Sequence, residues 1–266
     1  MNDLRQISAA VARPLTQLGR AAFRFVFPPS CPRCRREVEF EERDGRGRLI
    51  APVLCHQCAA DLLPPPSRRC VRCGLPVGSH APTDGCPHCR SSKFRFRSVI
   101  RCGLYDDAMR SACIRAKSST ESPLAAALVN LLWLHARHEL DSEQIDVVVA
   151  VPRHWTKRLL HRHHAAETLA RVLARRLNKP HGRGLLRKIK WTLDQSDLTA
   201  AERKLNLKDA FAVWSRPRSL AGKTVLLVDD ILTTGTTANE CTRALLHAGA
   251  TQVIVAVIAV VPPHAR

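Results

Sequence analysis

The sequence predicts an α/β protein, a mostly parallel sheet flanked by helices and preceded by a small cysteine-rich block. Three observations carry this expectation. Unbroken apolar runs alternate with segments of helical period through the C-terminal two thirds of the chain. One such run ends in Asp229-Asp230 and passes through a threonine-glycine turn into a helix. Ahead of all this, eight of the eleven cysteines fall into four C-x-x-C pairs.

The elements follow in chain order. Residues 1–27 place apolar side chains at Leu4, Ile7, Val11, Leu15, Leu18 and Ala22, broken by Arg5, Arg13, Arg20 and Arg24. This is helical spacing without a continuous apolar stretch or cleavage site, so it reads as a helix packed on its own protein rather than a signal peptide. No run reaches the ~18 apolar residues of a membrane span, and none is expected. Residues 28–92 are rich in Cys, Pro and Arg and have too few apolar runs to fold unaided. Pro64-Pro65-Pro66 splits them in two.

From residue 93 to 266 the chain reads as one α/β domain. A strand is expected over 96–105 and a helix over 106–117. Ser122-Pro123 opens a second helix running to about 138, with Ser at the cap and Pro at the first position. Residues 147–151 form an apolar run suited to a strand buried on both faces, ended by Pro152. Residues 155–177 are helical in pattern, and Leu185-Leu186 mark a short strand. The polar, basic stretch 187–200 reads as a mobile loop. Thr199 can cap a helix from Ala200, with Glu202 at capping-box spacing. Strand 224–228, turn 233–237, helix 238–247 with a stop at Gly249, and strand 251–261 complete a βαβ unit.

Composition narrows the function classes. Apolar residues make up 45% of the 266, enough for a sizeable core, while aromatics at 5% offer few stacking platforms for single-stranded nucleic acid. The net charge of +19 is unevenly spread: residues 93–190 hold 20 Lys/Arg against 8 Asp/Glu, net +12. Such a field favours an anionic ligand, whether nucleic acid, polyphosphate or membrane surface, although arginine-rich helix faces kept wet for solubility would look the same.

The cysteine spacing points to metal. Cys31-Pro-Arg-Cys34 is followed after 20 residues by Cys55-His-Gln-Cys58, and Cys70-Val-Arg-Cys73 after 12 residues by Cys86-Pro-His-Cys89. Each pair can form a knuckle with both thiolates aimed at one tetrahedral centre. Two knuckles make a closed four-cysteine site, hence two structural zinc ions. Sequence order pairs Cys31, Cys34, Cys55 and Cys58, then Cys70, Cys73, Cys86 and Cys89; interleaved pairing stays open, as does substitution by His56, His80 or His88. Thiolates kept reduced for metal imply a cytoplasmic location. Cys102, Cys113 and Cys241 fall outside the C-x-x-C pairs and read as buried thiols. Arg33, Arg35, Arg36, Arg68, Arg69 and Arg72 flank the knuckles, either to touch phosphates or simply as solvated arginines on a structural module.

The acidic turn points to a phosphorylated sugar. The run before it delivers Asp229 and Asp230 to the carboxyl end of a central strand, where open α/β sheets bind ligands. Thr233-Thr234-Gly235-Thr236-Thr237 then opens a helix, whose leading N–H groups and dipole favour an anion. Gly235 allows close backbone approach, and threonine hydroxyls can donate to phosphate oxygens. Two carboxylates would repel a bare phosphate, but they suit sugar hydroxyls. Together they describe a ribose 5-phosphate site.

This segment resembles the signature of type I phosphoribosyltransferases, which bind phosphoribosyl pyrophosphate (PRPP). With the double zinc ribbon, Val151-Pro152-Arg153-His154, then Gln195-Ser196, Leu198, Arg203, Asn206 and Ala210-Phe211, nearly the whole chain from Pro28 resembles the ComF family, associated with DNA uptake in competent bacteria. The resemblance implies a type I phosphoribosyltransferase-like fold over 93–266, after a double zinc ribbon over 28–92. It implies that Asp229 and Asp230 meet ribose hydroxyls and that Thr233, Thr234, Gly235, Thr236 and Thr237 hold the 5-phosphate. Pro152, Arg153 and His154 would hold the pyrophosphate. Lys188 or Lys190, at the start of a closing loop over 188–199, would meet the leaving group, and Mg2+ would bind with PRPP. Two departures stand out. Thr233 replaces an acidic residue found in some family enzymes, so no general base comes from there. Arg162-His163-His164-Ala165-Ala166 replaces Arg-Gly-Phe-Asn-Gln and keeps only the arginine.

The expected function is therefore a phosphoribosyltransferase-like protein that binds PRPP and Mg2+, with an unidentified acceptor. The alternatives are a non-catalytic nucleic-acid-binding or PRPP-sensing protein and an adaptor in a DNA-uptake apparatus.

Overall fold

The structure, a computed structural model, describes residues 28–38, 50, 52–65, 67–82, 85–116, 122–152, 165–190, 192, 200–214 and 219–262. The expected N-terminal helix, Arg153, His154, Arg162, His163, His164 and most of the 191–199 segment lie outside the described residues.

Four strands build one parallel sheet: β1 (Ser98–Leu104), β2 (Val147–Ala150), β5 (Thr224–Leu232) and β6 (Gln252–Val260), in the order β1-β6-β5-β2. A separate antiparallel pair joins β3 (Leu186–Lys188) to β4 (Phe211–Val213), with Lys188 opposite Phe211. The helices are α1 (His56–Leu62), α2 (Asp107–Ala116), α3 (Ser122–Ser142), α4 (Ala165–Leu177), α5 (Ala200–Leu207) and α6 (Thr236–His247). Asp106 caps α2, its Oδ1 accepting from the Met109 N–H at 2.9 Å. Pro123 stands in the first turn of α3, where its missing N–H costs nothing; this helix runs four residues past its expected end, through a kink at Ala136.

Both faces of the sheet are covered, and side-chain alternation divides the core in two. Val148, Ala150, Leu226, Val228, Ile254 and Ala256 face one way, against α2, α3 and α4. Val147, Val149, Val225, Leu227, Val253 and Val255 face the other, against α6 and the β3–β4 pair. The cysteine block is divided the same way. Cys31, Ile50, Leu54, Cys58 and Leu62 join the first cluster, while Cys70, Cys73, Leu75, Cys86 and Cys89 join the second. The two halves of this block therefore share cores with opposite faces of the sheet. That is where a segment with little apolar surface of its own finds enough burial.

Polar ties fix the same packing. Asn130, 1% exposed on α3, donates from Nδ2 to the Pro52 carbonyl at 2.8 Å, and its Oδ1 accepts from Arg176 Nε and Nη2 at 3.2 and 3.0 Å. Arg101, 3% exposed on β1, donates to the Gly74 carbonyl beside the second knuckle, and burial lowers the pKa of its guanidinium to about 10.

Candidate functional site

Strand β5 is longer than the apolar pattern implied. It continues through Asp229 and Asp230 to Leu232, paired with β6 as far as Leu232↔Val260. The ladder rather than a turn thus carries the two carboxylates to the strand end. Both are half-buried and locally tied: the Asp230 N–H donates to Asp229 Oδ1 at 2.9 Å, and the Ile231 N–H to Asp230 Oδ1 at 2.8 Å.

The chain then turns at 233–235, and α6 starts at Thr236, inside the expected turn. Gly235 is the N-cap in the left-handed region, φ 77°, which only glycine adopts without strain. Thr234 and Thr236 share a hydroxyl hydrogen bond of 2.9 Å. The Asn239 N–H donates to the Gly235 carbonyl at 2.8 Å as the first helical bond. The leading N–H groups of the helix and the positive end of its dipole thus face the strand ends. A cavity of about 280 Å³ opens there, lined by Asp229, Asp230, Thr233, Gly235, Thr237 and Tyr105, with Ile231, Leu232, Ala238 and Val261 around them.

Five of the expected sugar-phosphate residues therefore line one cavity, and Thr234 and Thr236 bond to each other beside it. Pro152 follows β2, whose last residue, Ala150, pairs with Val228 next to the acidic pair. Lys188 lies in β3 rather than in a loop, donates to Thr192 Oγ1, and sits 5.9 Å from the Phe211 ring. The buried Cys241 thiol is pushed up by burial first and then by Asp229, while Lys188 opposes the rise. Lys190 is exposed. Tyr105 joins the site without a motif to announce it, although it is the chain's single tyrosine and falls at the end of an expected strand. Phe94, whose ring packs against Gly235, carries no signal beyond its place at a domain boundary.

The cysteines gather as sequence order pairs them: Cys31, Cys34, Cys55 and Cys58 in one group, Cys70, Cys73, Cys86 and Cys89 in the other, each with its sulfurs within 4.8 Å of one another. Four thiolates ~2.3 Å from one zinc stand ~3.8 Å apart. The observed separations match: 3.6 Å for Cys34–Cys55, 3.7 Å for Cys70–Cys89, 3.6 Å for Cys73–Cys86 and 3.8 Å for Cys86–Cys89. In each group one thiol is drawn toward the thiolate. Burial opposes ionisation of Cys31 and Cys70, but backbone N–H groups of their knuckles outweigh it and bring both down to about 7. Burial and neighbouring thiols push Cys58 up to about 12 and Cys89 up to about 11. The groups differ in exposure: all four cysteines of the second are buried, while Cys34 of the first is exposed and Cys55 partly so. Both suit structural zinc. The remaining thiols, Cys102, Cys113 and Cys241, are buried.

A covered parallel sheet with an acidic strand end, followed by a threonine-glycine turn into a helix, defines a phosphoribosyltransferase-type domain. The phosphoribosyl transferase domain family matches residues 121–265. Competence protein F of Haemophilus influenzae is 26% identical over 203 residues, 75% of this chain and 87% of that protein. The DNA utilization protein YhgH of Escherichia coli K12 is 31% identical over 192 residues, 69% of this chain and 80% of that one. With its two four-cysteine groups, the chain belongs to the ComF family of phosphoribosyltransferase-domain proteins. Among solved structures, the glutamine PRPP amidotransferase of B. subtilis aligns with a TM-score of 0.34 at 21% identity, over 54% of this chain and 28% of that one.

Proposed function

We propose that the cavity at the end of β5 binds PRPP with Mg2+ and that the chain is a phosphoribosyltransferase-like protein serving DNA uptake. The observation that carries this is one cavity lined by both carboxylates and the helix-opening turn. In this reading the Asp229 and Asp230 carboxylates accept hydrogen bonds from the two ribose hydroxyls. Thr233, Thr234, Gly235, Thr236 and Thr237 hold the 5-phosphate at the α6 N-terminus. Pro152, Arg153 and His154 receive the pyrophosphate, and Lys188 or Lys190 meets it as the leaving group. Mg2+ bound with PRPP would supply neutralisation of the negative charge that develops on the leaving pyrophosphate. In transfer, the bond from ribose C1 to the pyrophosphate oxygen breaks and its electron pair leaves with pyrophosphate. An acceptor lone pair then forms the new bond to C1, and the acceptor's proton passes to solvent or to pyrophosphate.

The names of the relatives, competence protein and DNA utilization protein, support the link to DNA uptake. Residues 28–92 serve as the zinc-held module and residues 93–266 as the sugar-phosphate domain. The need for reduced thiols favours the cytoplasm, and no helix among the described residues is long and apolar enough to cross a membrane.

One observation favours a second reading, nucleic-acid binding without transfer. Trp214 is 65% exposed, and the Arg187 guanidinium lies 4.7 Å from its ring centroid, beside the strongly basic middle of the chain. Calorimetric titration of the zinc-loaded protein separates the two. PRPP with Mg2+ should bind, and pyrophosphate should appear once the right acceptor is added. No heat with PRPP, combined with tight, steeply salt-dependent DNA binding, would leave the second reading standing alone.

A further inference from the structure

We infer that the second cysteine group, Cys70, Cys73, Cys86 and Cys89, is a positioning device for the phosphate turn, acting through Arg72 and Phe94 on Gly235. The inference rests on the ribose-phosphate reading of that turn and deepens it by assigning the turn a built-in support.

The contacts form an unbroken path. Within the knuckle, Gly74 N–H donates to Cys70 O at 2.8 Å, and Ser92 N–H to Cys89 O at 2.9 Å, so both ends of the module bend around the cysteine group. Arg72, between Cys70 and Cys73, donates from Nη2 to the Phe94 carbonyl at 3.2 Å. The Phe94 ring stacks on the buried Phe96 ring at 4.6 Å. Its edge fills the space above Gly235, where an added Cβ would lie 2.8 Å from Phe94 Cε1. The next residue closes the path: Arg95 N–H donates to Asn239 Oδ1 at 2.6 Å, in the first turn of α6. The turn is thus gripped from outside at Gly235 and at Asn239 by two successive residues. Segment 67–92 is docked on β1 by the Val99 N–H to Val71 carbonyl bond of 2.8 Å and by Arg69, which donates to the Val99 carbonyl at 3.2 Å, and the metal-holding knuckle fixes where Arg72 stands on that docked segment.

Among the described residues, the first group makes no such path. Its knuckle is tied to α2, on the opposite face of the sheet, by Arg115, which donates to the Arg33 and Pro32 carbonyls at 3.0 and 3.4 Å, while the Arg33–Asp61 ion pair of 2.7 Å ties it to α1 within the same module. The two zinc modules therefore have different jobs. The first braces the α2–α3 layer, and the second sets the conformation of the turn at the ligand site. Loss of metal from the second would loosen the site before the sheet gives way.

The test uses the full-length zinc-loaded chain and Arg72→Ala, Arg72→Lys, Phe94→Ala and Phe94→Leu, with Arg115→Ala as the matched loosening of the first knuckle. Three readouts are taken: bound zinc, hydrogen exchange of peptides covering 233–239, and affinity for PRPP with Mg2+. Arg72→Ala and Phe94→Ala should keep two zinc ions yet speed exchange over 233–239 and weaken PRPP by about tenfold. Arg72→Lys, which keeps a donor, should recover most of both, and Arg115→Ala should leave both near wild type. Wild-type exchange and affinity in Arg72→Ala, or equal effects from Arg115→Ala, overturn the inference. If Phe94→Ala loses its fold, Phe94→Leu and the Arg72 pair decide. If the wild type binds no PRPP, the ligand reading fails by itself, while the exchange readout still decides whether the knuckle supports the turn.

Discussion

The Phe94 ring occupies the space that a side chain at Gly235 would need, 2.8 Å from the position of its Cβ. Two separate constraints thus fall on one residue: a left-handed φ of 77° and a ring packed against its α-carbon. Either alone would select glycine, and together they hold the turn that opens α6.

Gly235→Ala should therefore destabilise the protein by about 1–2 kcal/mol from the backbone alone, with the ring clash added. Urea denaturation of the zinc-loaded chain measures this. Combining it with Phe94→Leu should recover the clash part but not the backbone part, giving less than additive losses.

Asp229→Asn and Asp230→Asn keep the shape of each side chain and its ability to accept from the neighbouring N–H group. Melting temperature should hardly move. Affinity for PRPP should fall by about tenfold or more for each, because charge-assisted hydrogen bonds to sugar hydroxyls are lost. A shared fall in stability and affinity would instead assign the pair a structural role.

Metal analysis should find two zinc ions per chain. Thiolates must shed protons to bind, so metal affinity falls as pH falls, and acid or a chelator should strip the protein. The first site should empty first, since Cys34 is the only exposed cysteine of the eleven. A thiol-reactive label on stripped but undenatured protein should reach Cys34 before any other cysteine, and Cys102, Cys113 and Cys241 only after unfolding.

Asn130 joins α3, α4 and the segment before α1 through three hydrogen bonds at a site 1% exposed. Asn130→Ala removes the donor to the partly buried Pro52 carbonyl and one acceptor of the Arg176 guanidinium, and should cost about 1–3 kcal/mol in thermal or urea unfolding. PRPP affinity should not change, because this tie lies on the sheet face opposite α6.

Much of this is legible in local pattern. The strands at 147–150 and 252–260 announce themselves because strands buried on both faces leave only apolar residues. The cysteine pairing follows chain order because each knuckle is closed by its nearest neighbour. What local pattern does not carry is reach. The extension of β5 through Asp229 and Asp230 depends on β6 beside it, which overrides the low strand preference of aspartate. Lys188 reads locally as part of a polar loop, but it is paired in a strand with Phe211, far along the chain.

Tyr105 and Phe94 escape local pattern for the same reason, since each acquires its place only when β1 and the second knuckle dock beside α6. The division of the cysteine block between two faces of the sheet is equally out of reach, because spacing along the chain says nothing about which face a knuckle covers.

The most direct test of the central claim is a crystal structure of the zinc-loaded protein soaked with PRPP and Mg2+. The 5-phosphate should sit on the turn at 233–237, with the ribose hydroxyls within hydrogen-bonding distance of the Asp229 and Asp230 carboxylates. Density for the ligand elsewhere, or a turn that stays empty at saturating PRPP while its amides bond to neighbouring protein atoms, would contradict the account.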